Sequence, residues 1–220
     1  MLVVAAGAAL AGLAPAAARA QNAEGTKRHG ISAFGDLKYP ADFKHFDYVN
    51  PNAPKGGLFS QIGPTRQFNQ GLLTFNTLNS YILKGDAAQG MELTFATLMT
   101  RASDEPDAMY AYAARSVIIS DDEQVYRFFV RSDATFHDGS RLTAHDVAFT
   151  LRLLKEKGHP IITQQLRELV AIDADDDRSV TLRFTEKRAR DVPLFAAAMP
   201  IFSSAYYNTK AFEESTLDVP

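Results

Sequence analysis

Alternation of apolar and polar positions predicts two pairs of antiparallel strands in the middle of the chain. The first pair is Ser116–Ser120 (SVIIS) and Gln124–Arg131 (QVYRFFVR), joined by an acidic turn. The second pair is Glu168–Asp173 (ELVAID) and Ser179–Phe184 (SVTLRF), joined by the turn ADDDR. Because successive side chains of a strand point to opposite faces, this period of two is typical of half-buried strands.

Apolar residues three to four positions apart predict a helix ahead of these strands. Met91, Phe95, Leu98 and Met99 follow this spacing, so we expect a helix that begins near Asp86 and ends at Met99.

A second helix is predicted from the run VAFTLRLLKEK. Its apolar residues Val147, Leu151 and Leu154 would form the buried stripe, and Gly158 and Pro160 would end it. The lysines near its end suit the negative end of the helix dipole.

The flanking segments carry weaker patterns. Residues 21–57 are polar and rich in turn formers, so we expect a surface segment leading to a first strand at residues 58–63 (LFSQIG). Residues 64–86 are rich in Asn, Thr and Gly and are expected to wrap a surface or line a cleft. The run DVPLFAAAM at residues 191–199 predicts a short apolar helix.

Residues 136–147 (FHDGSRLTAHDV) concentrate histidines and aspartates, which raises the question of a metal site. His145 and Asp146 would point about 100° apart on a helix and could not easily share one ion. The HDGS run instead fits a tight turn. Thr143 and Asp146 have the spacing of an N-terminal capping box. The sequence therefore favours an architectural role over metal binding.

The acidic turn between the second pair of strands partly matches the pattern of a calcium-binding loop. Asp173, Asp175 and Asp177 match the first three ligand positions. Arg178 stands where such a loop needs glycine, and Phe184 stands at the twelfth position in place of glutamate. A solvated hairpin turn is the better interpretation.

Composition excludes several classes of function. The 220 residues carry a formal net charge of −3 and no long basic run, which argues against nucleic acid as a partner. The absence of cysteine excludes disulfides, zinc–thiolate sites and thiol nucleophiles. The sequence contains neither a phosphate-binding glycine-rich loop nor a G-x-S-x-G element, so no pattern in it points to catalysis.

Residues 1–20 differ from the rest and resemble a secretory signal peptide. A run of small apolar residues ends in Ala18-Arg19-Ala20, an A-x-A cleavage pattern, which predicts cleavage before Gln21. A membrane anchor is disfavoured because Pro15 and Arg19 interrupt the apolar run. We therefore expect an exported, periplasmic protein.

The segment 117–154 resembles the signature of the family 5 extracellular solute-binding proteins, the peptide receptors of ABC importers. The resemblance extends over residues 55–220. Residues 38–57 and 103–114 look closest to the subgroup linked to microcin C and murein peptides. The matching positions of the signature are Arg131, Asp133, Phe136, Asp138, Gly139 and Thr143 to Val147.

This resemblance implies an α/β fold of the periplasmic-binding-protein type, two-lobed and with an extra domain in the first lobe. Members of the family are longer, so the chain is expected to cover only the first lobe and to be a fragment or a truncated product. By analogy, residues 21–75 and 191–220 form an incomplete first domain. Residues 76–190 form the second, family-specific domain.

The resemblance also implies a function without catalysis or cofactor. The protein would be a monomer that binds a peptide or peptide-like solute and delivers it to the permease subunits of an importer at the inner membrane. The peptide-lining segment of this lobe falls on Leu83, Lys84, Gly85 and Asp86, where extended backbone would pair with the ligand. For the segment, a plain loop remains as an alternative. For the protein, the alternatives are a secreted cell-wall or peptide hydrolase and a non-binding remnant of a receptor.

Overall fold

The computed structural model describes residues 25–58, 60, 68–71, 73–214 and 217–218. The predicted signal peptide, residues 1–20, lies outside the described residues. Of the strand predicted at residues 58–63, only Leu58 and Ser60 are described, and neither belongs to a strand.

The described residues form a mixed arrangement of helices and strands. The strands are β1 (Gly30–Ser32), β2 (Met99–Arg101), β3 (Ala108–Ala111), β4 (Ala114–Ile119), β5 (Val125–Val130), β6 (Leu169–Ala174) and β7 (Ser179–Phe184). The helices are α1 (Ala144–Lys157), α2 (Pro160–Gln165), α3 (Val192–Ala197) and α4 (Ser204–Tyr207), with short 3-10 turns at Met91–Thr94 and Leu166–Glu168.

A four-stranded antiparallel sheet in the order β4-β5-β7-β6 confirms both predicted strand pairs. Phe128 lies at its centre, paired with Val117 on one side and with Val180 on the other. All three side chains are buried. Helix α1 contacts β6 and β7. The four strands thus bury apolar side chains in the core, as their sequence pattern predicts.

Helix α1 confirms the predicted stripe and cap. Val147, Leu151 and Leu154 are buried. The Thr143 side chain accepts a hydrogen bond from the Asp146 backbone N–H, and the Asp146 carboxylate accepts one from the Thr143 N–H, which completes the capping box. The predicted short apolar helix at residues 191–199 is also confirmed as α3.

Two predicted turns have the expected structure. Gly139 has φ +83°, the left-handed conformation that glycine adopts without strain, in the turn before α1. In the β6–β7 turn, the Asp176 carboxylate accepts hydrogen bonds from the backbone N–H groups of Arg178 and Ser179 at 2.7 and 2.8 Å. The acidic run therefore closes a hairpin, as interpreted from the sequence.

A three-stranded antiparallel sheet in the order β1-β3-β2 was missed. Its strands are only three or four residues long, too short to show a period of two. Tyr110 of β3 is buried against Tyr39, whose backbone N–H donates to the Tyr110 hydroxyl. Burial and a hydrogen bond to Glu105 raise the pKa of Tyr110 to about 12. Aromatic packing, and not strand length, defines this smaller core.

The helix predicted from Asp86 to Met99 is wrong. Only Met91–Thr94 forms a turn, of 3-10 type, after Gly90 in the left-handed conformation. The N–H of Ala87 donates to the Asn69 carbonyl, so the start of the predicted helix bonds to a distant loop. Met99 begins β2. The apolar spacing in this segment therefore reflects packing of a loop and a strand.

Candidate ligand-binding segment

The predicted ligand segment, Leu83 to Asp86, lies in an accessible loop that follows two buried residues. Tyr81 and Ile82 are buried, whereas the Leu83 side chain is 68% exposed. Lys84 and Asp86 are also exposed, and Gly85 is half-buried. The segment is therefore held from its N-terminal side while its own side chains face outward.

Two asparagines hold this segment by its backbone. The Asn69 side-chain amide donates to the Lys84 carbonyl at 3.0 Å and to the Asn79 carbonyl at 3.2 Å. The Asp86 N–H donates to the Asn76 side-chain oxygen at 2.9 Å, and the Asn76 N–H donates back to the Asp86 carbonyl at 2.8 Å. Both ends of the segment are thus fixed by polar side chains of the preceding loop.

Ala87 anchors the C-terminal side of the segment. It is fully buried and forms parallel bridges with Gln70 and with Thr77. Its carbonyl accepts a hydrogen bond from the Gly71 N–H at 2.9 Å. The Asn-rich loop predicted to wrap a surface or line a cleft therefore folds around the segment and supports it.

Several backbone groups of the segment have no partner among the described residues. These are the N–H and carbonyl of Leu83, the N–H of Lys84 and both groups of Gly85. The segment was expected to be extended, but residues 82–85 are bent, with Gly85 at φ +84°. That part of the expectation is wrong, because the bend is needed for the chain to return to Asn76 and Asn69.

The segment borders an open cavity of about 370 Å³. The loop contributes Ile82, Leu83 and Lys84 to its lining. The end of α1 and the residues around it contribute Glu156, Lys157, Gly158 and Pro160, with Glu213 from the C-terminal part. No sequence pattern predicts these residues as part of a site, because they come together only through tertiary packing.

His159 joins the end of α1 to the segment. Its backbone N–H donates to the Tyr81 carbonyl at 2.7 Å, and its ring lies 5.5 Å from the Phe68 ring. Partial burial lowers the pKa of His159 below its usual value, so the imidazole is neutral at pH 7. Its neighbours Gly158 and Pro160 line the cavity, so the backbone hydrogen bond of His159 ties that wall to the residue before the segment.

The histidines and aspartates of residues 136–147 do not converge on one point. His145 approaches Asp177 at 3.3 Å on the surface, whereas His137 lines a different cavity of about 420 Å³ with Phe95, Tyr112 and Phe136. Within the described residues, no three His, Asp or Glu side chains cluster as metal ligands would.

Sequence comparison identifies relatives over most of the chain. The family profile described as "Bacterial extracellular solute-binding proteins, family 5 Middle" matches residues 108–219. The chain is 36% identical to "Peptidoglycan-binding protein YepA" of Agrobacterium fabrum over 86% of this chain and 31% of that one. It is 38% identical to "Probable peptide-binding protein YejA" of the same organism over 84% of this chain and 29% of that one. The chain thus spans about a third of the length of these relatives.

Comparison with solved structures supports the predicted fold class. The oligopeptide-binding protein AppA of Bacillus subtilis, solved with a nonapeptide, superposes with a TM-score of 0.51 at 19% identity. The match covers 64% of this chain and 27% of AppA. The α/β, periplasmic-binding-protein type of fold is thereby confirmed. Since the family profile also matches just over half of the sequence, the chain belongs to the bacterial extracellular solute-binding proteins of family 5.

Proposed function

We propose that the protein is the substrate-binding component of an ABC importer and binds peptides or peptide-like solutes through residues 83–86. Membership of family 5 supports the binding role. Leu83 and Lys84 line an open cavity and carry backbone groups without a partner among the described residues, and this observation carries the choice of site.

Such backbone groups suit a peptide ligand because every peptide offers the same main-chain donors and acceptors. Charges of both signs line the cavity, two lysines (Lys84 and Lys157) and two glutamates (Glu156 and Glu213). The Lys157–Glu213 pair, 3.2 Å apart, is largely exposed and contributes little to stability. Ligands with different side chains can therefore be bound on one main-chain frame.

The ligand segment should depend on the conformation of Gly85. Valine is strongly disfavoured at a positive φ. We therefore expect Gly85→Val to shift the free N–H groups of the segment and to weaken peptide binding about tenfold, a loss of about 1.4 kcal/mol. Isothermal titration calorimetry of the 220-residue chain with a mixture of short peptides measures this effect.

Gly139→Val is the matched control, since Gly139 has φ +83° and a Cβ added there meets no atom within 4 Å. Both variants should lose comparable stability, but only Gly85→Val should lose affinity. Equal affinities for Gly85→Val and the unaltered chain would contradict the assignment of the segment.

We also propose that residues 1–20 direct export to the periplasm and are then removed. The A-x-A pattern motivates this proposal. Among the described residues, no helix is both long and apolar enough to cross a bilayer. N-terminal sequencing of the protein recovered from the periplasm is expected to begin at Gln21. Recovery of intact Met1 from the cytoplasm alone would contradict export.

We also propose that the first lobe has two domains, one formed by residues 21–75 with 191–220 and the other by residues 76–190. The proposed partner is the set of permease subunits of the importer. Hydrogen exchange tests the division, because residues 76–190 should open as one cooperative unit. Co-purification with the permease complex tests the partner. A monomer in solution, checked by light scattering, is part of the same proposal.

A secreted hydrolase is the competing function. The names of the relatives refer to binding, which supports a protein without enzymatic activity. Incubation with peptides and with peptidoglycan fragments separates the two functions. Turnover that a single Ser→Ala change abolishes would establish the hydrolase and overturn the binding proposal.

A further inference from the structure

A third cavity, of about 300 Å³, lies between β1, the β4–β5 hairpin and the segment leading into α3. Its lining includes three arginines, Arg28, Arg188 and Arg190, which define what we call the cationic cavity. Glu123 is the acidic residue among its lining residues. Among the residues that the structure describes, the cationic cavity shares no lining residue with the cavity beside residues 83–86.

Arg188 is fixed in place before any ligand arrives. Its guanidinium carbon lies 5.9 Å from the centre of the Tyr126 ring and 5.7 Å from that of Phe184. One terminal nitrogen, Nη2, donates to the Glu123 carbonyl and to the Tyr126 hydroxyl. A guanidinium has five N–H donors, so most of its donor capacity is unused by the described residues.

Arg28 and Arg190 carry charges without an ion-pair partner among the described residues. Both side chains are exposed. The backbone of Arg28 is nevertheless rigid, because it exchanges two hydrogen bonds with Val117, at 2.8 and 2.9 Å. The cavity thus combines one preorganised guanidinium with two that are free to turn toward a ligand.

The balance of charge in the cationic cavity favours an anion. Three arginines against Glu123 leave an excess of positive charge among the lining residues. Asp122 lies nearby. Hydrogen bonds from Ser120 and Gln124 lower the pKa of its carboxyl, and the Arg188 charge lowers it further by a smaller amount. Both hydrogen bonds are accepted by Oδ1 of its carboxylate, which holds Asp122 in the β4–β5 turn, and Asp122 is not among the lining residues of the cationic cavity.

We propose that the cationic cavity binds a dianionic phosphate group, either as inorganic phosphate or as a phosphomonoester. A planar guanidinium donates two parallel hydrogen bonds to phosphate oxygens, and three of them can serve one tetrahedral anion. A carboxylate, with one charge and two oxygens, would use fewer of these donors. The site is independent of the peptide segment.

The test titrates the 220-residue chain with inorganic phosphate at pH 7.5 by calorimetry, and with vesicles containing phosphatidic acid by sedimentation. We expect the double variant Arg28→Gln, Arg190→Gln to bind phosphate at least about tenfold more weakly, since it loses two charge-assisted contacts. Binding of inorganic phosphate identifies the free anion as the ligand. Binding only to phosphatidic acid vesicles identifies a lipid phosphomonoester, and either result supports the proposal.

The control double variant is Arg141→Gln, Arg167→Gln, which removes the same charge from exposed positions outside the cationic cavity. It should bind phosphate as the unaltered chain does. Equal weakening in both double variants would show a nonspecific charge effect and overturn the proposal. Absence of binding to both phosphate and the phosphatidic acid vesicles would also overturn it.

Discussion

Replacement of Asp146 by alanine is expected to lower the free energy of unfolding by about 3–5 kcal/mol. Asp146 is buried, with an exposed fraction of only 6%. Its carboxylate accepts hydrogen bonds from the Thr143 N–H and hydroxyl at 2.9 and 2.7 Å, and from the Ser204 N–H and hydroxyl at 3.0 and 2.8 Å. The change would leave four donors without their partner. It would also release α4 from the start of α1.

Substitutions at two neighbouring residues serve as references for this loss of unfolding free energy. Chemical denaturation measures the loss for all three variants. Thr143→Ala removes the cap but leaves the bonds to Ser204, so we expect a loss of about 0.5–2 kcal/mol. His145→Ala removes an exposed contact with Asp177 in the same helical turn and should cost no more than about 0.5 kcal/mol. A loss for Asp146→Ala no larger than that for Thr143→Ala would show that the link to α4 contributes nothing.

Phe202→Ala is expected to lower the free energy of unfolding by about 3–5 kcal/mol through the cavity it creates. Phe202 is 2% exposed. Its ring centre lies between 5.2 and 5.7 Å from those of Tyr81, Phe95, Tyr207 and Phe212. Because Tyr81 leads directly into the ligand segment, the same change should also weaken peptide binding in the temperature range where the variant is folded.

Phe34→Ala is the control for this change, since Phe34 is 71% exposed and its truncation creates no cavity. Thermal and denaturant unfolding should place this variant within about 0.5 kcal/mol of the unaltered chain. A similarly small loss for Phe202→Ala would mean that the aromatic cluster does not hold the C-terminal part against Tyr81 and Phe95.

The features predicted well from sequence depend on local chemistry. The β4–β5 and β6–β7 hairpins are visible because strands of six residues are long enough for apolar residues to recur at every second position, as Val180, Leu182 and Phe184 do in β7. The cap of α1 is visible because the Thr143 and Asp146 side chains bond to backbone groups three residues away. Neither feature requires knowledge of what packs against it.

The features missed depend on contacts between distant residues. The strand β3 is specified by pairing with β1 and β2 and by Tyr39, more than sixty residues earlier in the chain. The helix predicted from Asp86 failed because Ala87 bonds to Asn69. A local apolar spacing cannot reveal that competing partner.

The candidate site was predictable only in part. The position of residues 83–86 follows from the resemblance to the family. In the structure Leu83, Lys84 and Asp86 are exposed, and Leu83 and Lys84 border a cavity. The supporting asparagines, Asn69 and Asn76, belong to the loop that its composition predicts to wrap a surface or line a cleft. Their hydrogen bonds to the segment are not predictable from that composition. The far wall, with Lys157 and Glu213, could not be predicted because these residues meet the loop only after α1 has packed.

Chemical-shift mapping of the ¹⁵N-labelled 220-residue chain during titration with a short peptide tests the central claim most directly, because it detects weak binding and reports on single backbone N–H groups. We expect the amide signals of Leu83, Lys84 and Gly85 to move saturably with peptide concentration, while those of Arg28 and Gly139 stay in place. Saturable shifts confined to other parts of the chain, or none at all, would contradict the assignment of peptide binding to this segment.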